Sequence, residues 1–189
     1  MSYTTSTLPI EKGNIYHIYN HAVGSEKIFL KDYECRRILA DLGKRMPAVS
    51  DIYAYCIMSN HMHLMLKVTA EPPKFSKALG DVLNAYAKWY NTLNHRMGGV
   101  FISPFKRRIV NGTDDLIWLP WYIHRNPLHH IITSDWKGYP WSSFQYYLEP
   151  QGAPSFLNTS FLPSQYGSLQ QMLFHHEAAS ASWTENELI

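Results

Sequence analysis

Two apolar runs meet at a polar pair in residues 55–68, which read Tyr55-Cys56-Ile57-Met58-Ser59-Asn60-His61-Met62-His63-Leu64-Met65-Leu66-Lys67-Val68. The second run begins with two histidines that have one residue between them. Because residues i and i+2 of a β-strand point to the same face, we expect the rings of His61 and His63 to lie side by side. Two neutral imidazoles on one strand would form half of a divalent-metal site. The same spacing would also suit two histidines that are held only by local hydrogen bonds.

The composition is that of one globular domain. The chain has 189 residues, of which 46% are hydrophobic and 17% are charged, so it can bury a core and shows no bias towards disorder. No apolar run reaches the ~20 residues of a membrane span. Residues 1–7 lack the basic start and apolar run of a secretory signal, so we expect a cytoplasmic protein with no membrane partner. The two cysteines form no Cys-x-x-Cys pair and indicate neither zinc nor redox chemistry.

The hydrophobic periodicity predicts an alternation of strands and helices. Strands are expected at 14–20, 52–58, 61–68 and within 100–110, and helices at 33–45, 74–94 and from 114 onward. The order strand, helix, strand, strand, helix, strand is the split βαβ arrangement of ferredoxin-like folds. It predicts an α+β fold in which an antiparallel sheet carries helices on one face, with strands 52–58 and 61–68 in the middle. We expect a main domain at 1–149 and a C-terminal extension, 150–189, packed on it.

The helix that begins near residue 114 carries two prolines. Pro120 lacks the backbone N–H that a helix interior needs, so we expect a kink there, or a break with a restart. Pro127 disfavours helical geometry in the residue before it, which predicts that the helix stops near Asn126.

Tyr122 and Asn126 are four residues apart, so they share one face of this helix. If that face is turned towards His61 and His63, Asn126 could supply an oxygen ligand and Tyr122 a hydroxyl beside the ion. A tyrosine phenol titrates near ~10, but a metal that polarises a phosphoryl oxygen would help it to attack. This combination suits transesterification of a phosphodiester, although any one of the 13 tyrosines could serve only in packing. Tyr86 is the main rival nucleophile, and its helical spacing with apolar neighbours predicts a core residue.

A compact basic cluster, Lys106-Arg107-Arg108, lies in the region of the fourth strand. It could contact DNA phosphates, which would make binding sensitive to salt, or it could form a solvated sheet edge. Arg125 could likewise hold a phosphate or cap the end of its helix. The adjacent pairs His129-His130 and His175-His176 are expected at the surface, because neighbouring residues on a strand point to opposite faces.

Three stretches in this order resemble the single-tyrosine HUH-superfamily transposases, especially the REP-associated tyrosine transposase branch. The first is similar to the opening strand of that family, and the second to its Met-Pro-Asn-His-hydrophobic-His-Leu motif. The third is similar to its Tyr-Ile-x-x-Asn-Pro and Pro-Trp-Ser-Ser segments. The stretches are Tyr16-His17-Ile18-Tyr19-Asn20, then Met58-Ser59-Asn60-His61-Met62-His63-Leu64, then Tyr122-Ile123-His124-Arg125-Asn126-Pro127 with Tyr139-Pro140-Trp141-Ser142-Ser143.

The resemblance implies a transposase that binds single-stranded DNA with a hairpin. It implies that His61 and His63 bind Mg²⁺ or Mn²⁺, that Asn126 completes the metal shell, and that Tyr122 is the nucleophile. Cleavage would leave a 5′-phosphotyrosine link and a free 3′-hydroxyl, and rejoining would reverse the same step. It also implies a prokaryotic, nucleoid-associated protein that could form a homodimer, with Lys106, Arg107, Arg108 and Arg125 near the DNA.

The sequence departs from that family at two positions near these stretches. Ser59 stands where the family usually has proline, and His21 stands where many members have arginine. Two other functions remain open. The chain could be a catalytically idle, domesticated protein that binds DNA hairpins, or a nuclease that uses metal-activated water with Tyr122 in a structural role.

Overall fold

The computed structural model describes residues 9–178, and the remainder of the expected extension, 179–189, lies outside the described residues. The strands are β1 (Ile15–His21), β2 (Ser50–Ile57), β3 (His61–Val68) and β4 (Lys106–Ile109). The helices are α1 (Asp32–Arg45), α2 (Pro72–Leu93), α3 (Gly112–His129), α4 (Gln145–Leu148), α5 (Phe161–Gln165) and α6 (Leu169–Ala178), with a single 3-10 turn at Val23–Ser25. Within residues 9–178, no helix has both the length and the apolar surface that a membrane crossing requires.

The four strands form one antiparallel sheet in the order β2-β3-β1-β4. This is the split βαβ arrangement, so the predicted α+β fold is confirmed. The prediction that strands 52–58 and 61–68 are both central is half wrong. β3 is central, but its other central neighbour is β1, and β2 lies at an edge. The reason is that α2 connects β3 to β4 by a crossover past β1, so β1 lies between these two strands.

The face of the sheet that carries α1 and α2 forms the larger hydrophobic core. On β3 the side chains of Met62, Leu64 and Leu66 are fully buried against it. Helix α2 begins with Pro72, whose missing N–H costs nothing at a first helical turn. Its buried side chains follow helical spacing, as the sequence predicted: Phe75, Leu79, Val82, Leu83, Tyr86 and Tyr90.

The opposite face of the sheet carries His61, His63 and Met65, and α3 packs there together with the segments that follow it. The expected placement of helices on one face therefore holds for α1 and α2, whereas α3 covers the other face. Short period-2 strands with two buried faces do not reveal which helix covers which face. As a result, the second core became visible only in the tertiary structure.

Helix α3 runs without interruption from Gly112 to His129 and contains both Pro120 and Pro127. Of the two outcomes expected at Pro120, the break with a restart is wrong and the kink stays a prediction; the predicted end near Asn126 is wrong. Tertiary packing explains the difference, since Leu119, Trp121 and Ile123 are fully buried around Pro120. In the turn that the proline weakens, the Tyr166 hydroxyl donates a hydrogen bond to the carbonyl of Ile117.

Residues that follow α3 cover the exposed edge of β2. The amide of Ile57 donates to the carbonyl of Trp141 at 2.9 Å, and the amide of Ser143 donates to the carbonyl of Tyr55 at 2.9 Å. Further along the chain, the amide of Asn158 donates to the carbonyl of Ile52 at 2.8 Å. These contacts satisfy backbone groups that would otherwise invite pairing with another chain. The division of the chain at residue 149/150 stays a prediction.

A buried chain of hydrogen bonds joins α6 to α3 and to the β2 edge. The Nδ1 of His176 lies 2.9 Å from the carbonyl of Met172, and its Nε2 lies 3.0 Å from the Nδ1 of His124. The Nε2 of His124 lies 2.9 Å from the Ser143 hydroxyl. The carbonyl can only accept, so each ring in turn donates from Nδ1 and accepts at Nε2. His176 is fully buried, so the prediction that both residues of its pair lie at the surface is wrong.

Burial makes the fold sensitive to acid. Burial lowers the pKa of His176 to about 3, whereas an unfolded histidine titrates near ~6.5. Between these two pKa values, His176 binds a proton in the unfolded chain but not in the folded protein. The free energy of unfolding therefore falls as the pH drops below ~6.5. We expect wild type to lose about 2 kcal/mol more stability between pH 7.5 and pH 5 than His176→Gln, in urea unfolding monitored by tryptophan fluorescence.

The matched control is Glu177→Gln, which changes an exposed neighbour on the same helix. It should keep the pH dependence of wild type. Parallel stability curves for wild type and His176→Gln would contradict the assignment of a neutral, buried His176.

Candidate active site

The two histidines of β3 lie on one face of the sheet. Their ring centroids are 5.0 Å apart, with an angle of 88° between the ring planes. His61 is 4% exposed and His63 is 1% exposed. The strand geometry thus places the pair as the period-2 spacing predicts, in a pocket almost closed to solvent.

Strand β1 adds side chains to the site that the sequence pattern did not predict there. His21 lies opposite His61 and Tyr19 lies opposite His63 in the antiparallel register. The rings of His21 and His61 stack with centroids 4.6 Å apart. His17 is fully buried, and its Nε2 lies 2.9 Å from the Nδ1 of His63. The alternation of these three residues was visible in the sequence, but their partner strand was not.

Helix α3 brings Tyr122 and Asn126 to the histidine pair. The Tyr122 ring meets His63 edge-on, with centroids 5.6 Å apart and an angle of 85°. The Oδ1 of Asn126 lies 3.4 Å from the Nε2 of His61. Tyr122 is 3% exposed and Asn126 is fully buried. The continuous helix keeps the two residues one turn apart on the same face, so the structure brings all four predicted residues together.

The hydrogen bonds of His61 determine where its lone pair points. Burial lowers the pKa of His61 to about 3, with smaller contributions from His21 and His130, so the ring is neutral and carries one N–H. Its Nδ1 lies 2.7 Å from the Oδ1 of Asn60, which can only accept, so the proton belongs there. The lone pair of Nε2 then faces the Oδ1 of Asn126, another acceptor.

Two acceptors that face each other across 3.4 Å form an arrangement that a cation stabilises. The Nδ2 of Asn126 is buried and has no hydrogen-bond partner among residues 9–178. If the Asn126 amide were rotated, Nδ2 would donate to His61 and no cation would be needed. The two arrangements differ in a measurable property, which is affinity for a divalent metal.

His63 is oriented in a similar way. Burial lowers its pKa well below the ordinary value, with further contributions from His17 and His61, so this ring is also neutral. When the Nδ1–H of His63 donates to the Nε2 of His17, the Nε2 of His63 keeps a lone pair. A ligand histidine fixed by an acceptor behind it is the usual construction of a metal site.

The donor set that results is two imidazole nitrogens and one amide oxygen, from His61, His63 and Asn126. Nitrogen and oxygen donors of this kind fit Mn²⁺ and, with water in the remaining positions, Mg²⁺. Among the described residues no group of three or more His, Cys, Asp or Glu side chains is placed to hold an ion. The third donor here is an amide, so the residues present fit a divalent ion only with Asn126 as a ligand.

The predicted DNA-binding residues form two groups. Lys106 and Arg107 are the first group, and Arg108 and Arg125, which have partners within the protein, are the second. Lys106 is exposed on the site face, with its ammonium 5.8 Å from the centre of the Tyr19 ring. Arg107 is half-buried and lies opposite Ile18, which faces the other core.

Arg108 and Arg125 both have partners within the protein, and their contacts with DNA stay a prediction. Arg108 is buried, and its Nη1 lies 3.1 and 3.0 Å from the two carboxylate oxygens of Asp115. Arg125 donates to the carbonyl of His176 at 2.8 Å and lies over the rings of Trp121 and Trp136. Arg108 thereby attaches the first turn of α3 to β4, and Arg125 attaches α3 to α6.

Tyr86 lies outside this site. It is fully buried in the core between the sheet and α1 and α2, and its hydroxyl donates to the carbonyl of Ile28. The expectation that Tyr86 serves in packing agrees with this position.

The pair His129-His130 is exposed, as expected, and lies beside the site. The ring centroid of His130 is 5.1 Å from that of His61, and the ring centroid of His129 is 6.0 Å from that of Tyr122.

No protein-family model matches the sequence, and no curated protein matches it either. The fold is similar to a solved structure of a REP-associated tyrosine transposase bound to a REP hairpin. The TM-score is 0.60, the superposition covers 84% of this chain and 93% of that chain, and 16% of the residues are identical. At this identity the likeness establishes a shared fold, which agrees with the α+β architecture predicted from the sequence.

The buried pair of Arg108 and Asp115 should matter for stability. We expect Asp115→Ala to reduce the free energy of unfolding by about 3–5 kcal/mol, because it leaves a buried guanidinium uncompensated. Replacing both residues, as Arg108→Met with Asp115→Leu, should recover most of the loss. The measurement is urea unfolding at pH 7.5.

Asp114→Ala is the matched control, because Asp114 is exposed in the same helical turn. It should cost at most about 1 kcal/mol, which is the value of an acidic residue at a helix N-terminus. Equal losses for Asp114→Ala and Asp115→Ala would argue against a structural role of the Arg108 pair.

Proposed function

We propose that this protein is a metal-dependent DNA strand transferase that nicks and rejoins hairpin-containing single-stranded DNA through a phosphotyrosine. The observation that carries the proposal is the meeting of one face of α3, with Tyr122 and Asn126, and one face of β3, with His61 and His63. A tyrosine hydroxyl beside a divalent-metal donor set suits phosphoryl transfer to the tyrosine.

The phenolic oxygen of Tyr122 attacks the phosphorus atom of a phosphodiester. The bond from phosphorus to the 3′-oxygen breaks, the 3′-oxygen takes a proton, and the phenol gives one up. The product is a 5′-phosphotyrosine with a free 3′-hydroxyl, and reversal of the step rejoins a strand. A Mg²⁺ or Mn²⁺ ion held by His61, His63 and Asn126 would polarise the phosphoryl oxygen. His17 and Asn60 keep the two ligand rings in place.

The burial of the site suits a covalent intermediate. Tyr122 is 3% exposed, so bulk water is largely excluded from the position where the phosphotyrosine would form. The DNA must move side chains aside to reach the phenol, and the exposed His129 and His130 at the end of α3 lie over Tyr122 and His61. All four central residues come from one chain, so the proposed chemistry requires no residue from a second subunit.

The proposed partner is DNA with a hairpin, as in the solved transposase structure, which is bound to a REP hairpin. Lys106 is exposed on the site face and could contact a phosphate close to the scissile bond. Such contacts make binding weaker at higher salt.

A second function is favoured by one observation. The burial of Tyr122 would also suit a protein that binds a hairpin without cleaving it. Such a protein would bind the DNA and form no covalent product, so a test for the adduct separates the two functions.

The nucleophile can be tested directly. With labelled hairpin DNA taken from the genomic neighbourhood of its gene and with Mn²⁺, wild type should form a protein–DNA adduct that survives denaturing electrophoresis. Tyr122→Phe should form none, because the attacking oxygen is gone. Tyr19→Phe is the matched control, since Tyr19 also faces His63 and should not be needed for attack.

An adduct that persists in Tyr122→Phe would overturn the assignment of the nucleophile. Tight binding by wild type with no adduct would favour the hairpin-binding protein. Cleaved DNA without linked protein would favour a nuclease that uses metal-activated water.

The metal site has its own test. We expect Mn²⁺ to bind wild type, observed as loss of the free-ion signal in electron paramagnetic resonance. His63→Ala and Asn126→Ala should each weaken binding at least about tenfold, because each removes a donor. His130→Ala is the control, since this ring lies beside His61 outside the donor set. No Mn²⁺ binding by wild type would support the rotated Asn126 amide instead.

A further inference from the structure

The exposed residue His129 lies beside the proposed nucleophile. It is the last residue of α3 and follows Tyr122 by seven positions and Asn126 by three, so the three side chains share one face of the helix. The centroid of its ring is 6.0 Å from that of the Tyr122 ring, with an angle of 33° between the ring planes. The proposed transfer releases a proton from the Tyr122 phenol, and this proton needs an acceptor close to the phenolic oxygen.

Two other histidines beside Tyr122 are poorly placed to accept that proton. The ring centroids of His17 and His63 are 6.3 and 5.6 Å from that of Tyr122. His17 is fully buried and His63 is 1% exposed, and the Nε2 of His17 lies 2.9 Å from the Nδ1 of His63. A proton accepted by either ring would leave a charge in a place that is almost closed to water, next to the proposed metal ion.

His129 does not have this disadvantage, because its side chain is exposed. Its protonated ring would be hydrated and could pass the proton on to water. A centroid separation of 6.0 Å allows an imidazole nitrogen of His129 to approach the phenolic oxygen directly or through one water molecule. Such a position is what a general base requires.

The end of α3 adds a further advantage. The last carbonyl groups of a helix carry a partial negative charge, which stabilises a positive charge in the last turn, where His129 lies. His130 follows directly, but its ring centroid is 5.1 Å from that of the proposed ligand His61. The two exposed histidines therefore lie beside different parts of the site, and His129 is the one beside the phenol.

We propose that His129 is a catalytic residue that accepts the phenolic proton of Tyr122 as this oxygen attacks the DNA phosphate. The O–H bond of the phenol breaks, its proton binds an imidazole nitrogen of His129, and the phenolic oxygen bonds to phosphorus. The 3′-oxygen leaves and takes a proton from water, and the imidazolium releases its proton to water. In rejoining, the 3′-hydroxyl gives its proton to water, and protonated His129 returns a proton to the phenol. This inference rests on the proposed function, because it completes the same reaction.

The test is the single-turnover rate of adduct formation by the full chain with Mn²⁺ and the labelled hairpin DNA. His129→Ala should slow this rate at least about 100-fold, as loss of a general base does. Hairpin binding in fluorescence anisotropy and Mn²⁺ binding should stay unchanged, because His129 lies outside the donor set. The matched control is His130→Ala, which removes the neighbouring exposed imidazole and should keep the rate of wild type.

A more acidic nucleophile separates proton transfer from a structural role. Replacement of Tyr122 by 3,5-difluorotyrosine gives a phenol that loses its proton more readily and therefore depends less on a base. The rate loss caused by His129→Ala should then shrink at least about tenfold. A residue that only holds the end of α3 in place would cause the same loss with either phenol, and that result would overturn the proposal.

A modified strand separates the nucleophile from the leaving group. Sulfur in place of the 3′-oxygen at the linkage that wild type cleaves gives a leaving group that needs no proton. We expect His129→Ala to be slowed as much on this strand as on the oxygen strand. Relief of the loss on the sulfur strand would overturn the proposal in favour of His129 as the proton donor to the 3′-oxygen.

Failure of this inference and failure of the proposed function give different results. Adduct formation by His129→Ala at the rate of wild type would remove only the role of His129. Equal losses for His129→Ala and His130→Ala, or weaker hairpin binding by His129→Ala, would overturn that role in favour of a contact with DNA. The absence of any adduct with wild type would remove the proposed function, and with it the need for a proton acceptor.

Discussion

The antiparallel pairing of β1 with β3 is the interaction on which the candidate site depends. Its register places His21 opposite His61 and Tyr19 opposite His63, and it brings His17 within hydrogen-bond distance of His63. A shift of one residue would turn every one of these side chains to the other face. The apolar residues between the histidines prevent such a shift, because they are fully buried against α1 and α2. The hydrophobic core on one face of the sheet therefore sets the geometry of the polar site on the other.

The second requirement is that α3 stays in place over the histidines. Contacts with other elements compensate for the backbone hydrogen bonds that Pro120 and Pro127 remove from the helix. The pair of Arg108 and Asp115 holds its first turn to β4, and Arg125 holds its last turns to α6. The chain from Ser143 through His124 to His176 joins the middle of α3 to the edge of β2. These contacts hold the guanidinium groups of Arg108 and Arg125 within the protein. Fewer basic side chains are therefore exposed near Lys106 on this face.

The two faces of the sheet then differ in chemistry. On the histidine face, His61, His63 and Asn126 meet beside Tyr122, and the proposed metal-assisted transfer would take place there. On the α2 face, side chains that include Phe101 and Phe105 line an open cavity of about 520 Å³. Both features meet at the end of β1, where alternate residues point to opposite sides. One strand thus contributes side chains both to the histidine cluster and to the lining of the cavity.

The sequence by itself determined the elements whose signal is local. The period-2 pattern of β3, the apolar stripe of α2 and the four-residue spacing of Tyr122 and Asn126 predicted the α+β order and a face of α3 that could meet the histidine pair. Only the tertiary structure decided which strand lies beside β3, and with it the roles of His17 and His21. It also decided that α3 continues through Pro120, that His176 is buried and that Arg108 pairs with Asp115. Each of these depends on contacts between residues far apart in the chain, and burial and pairing across such distances leave no periodicity in the sequence.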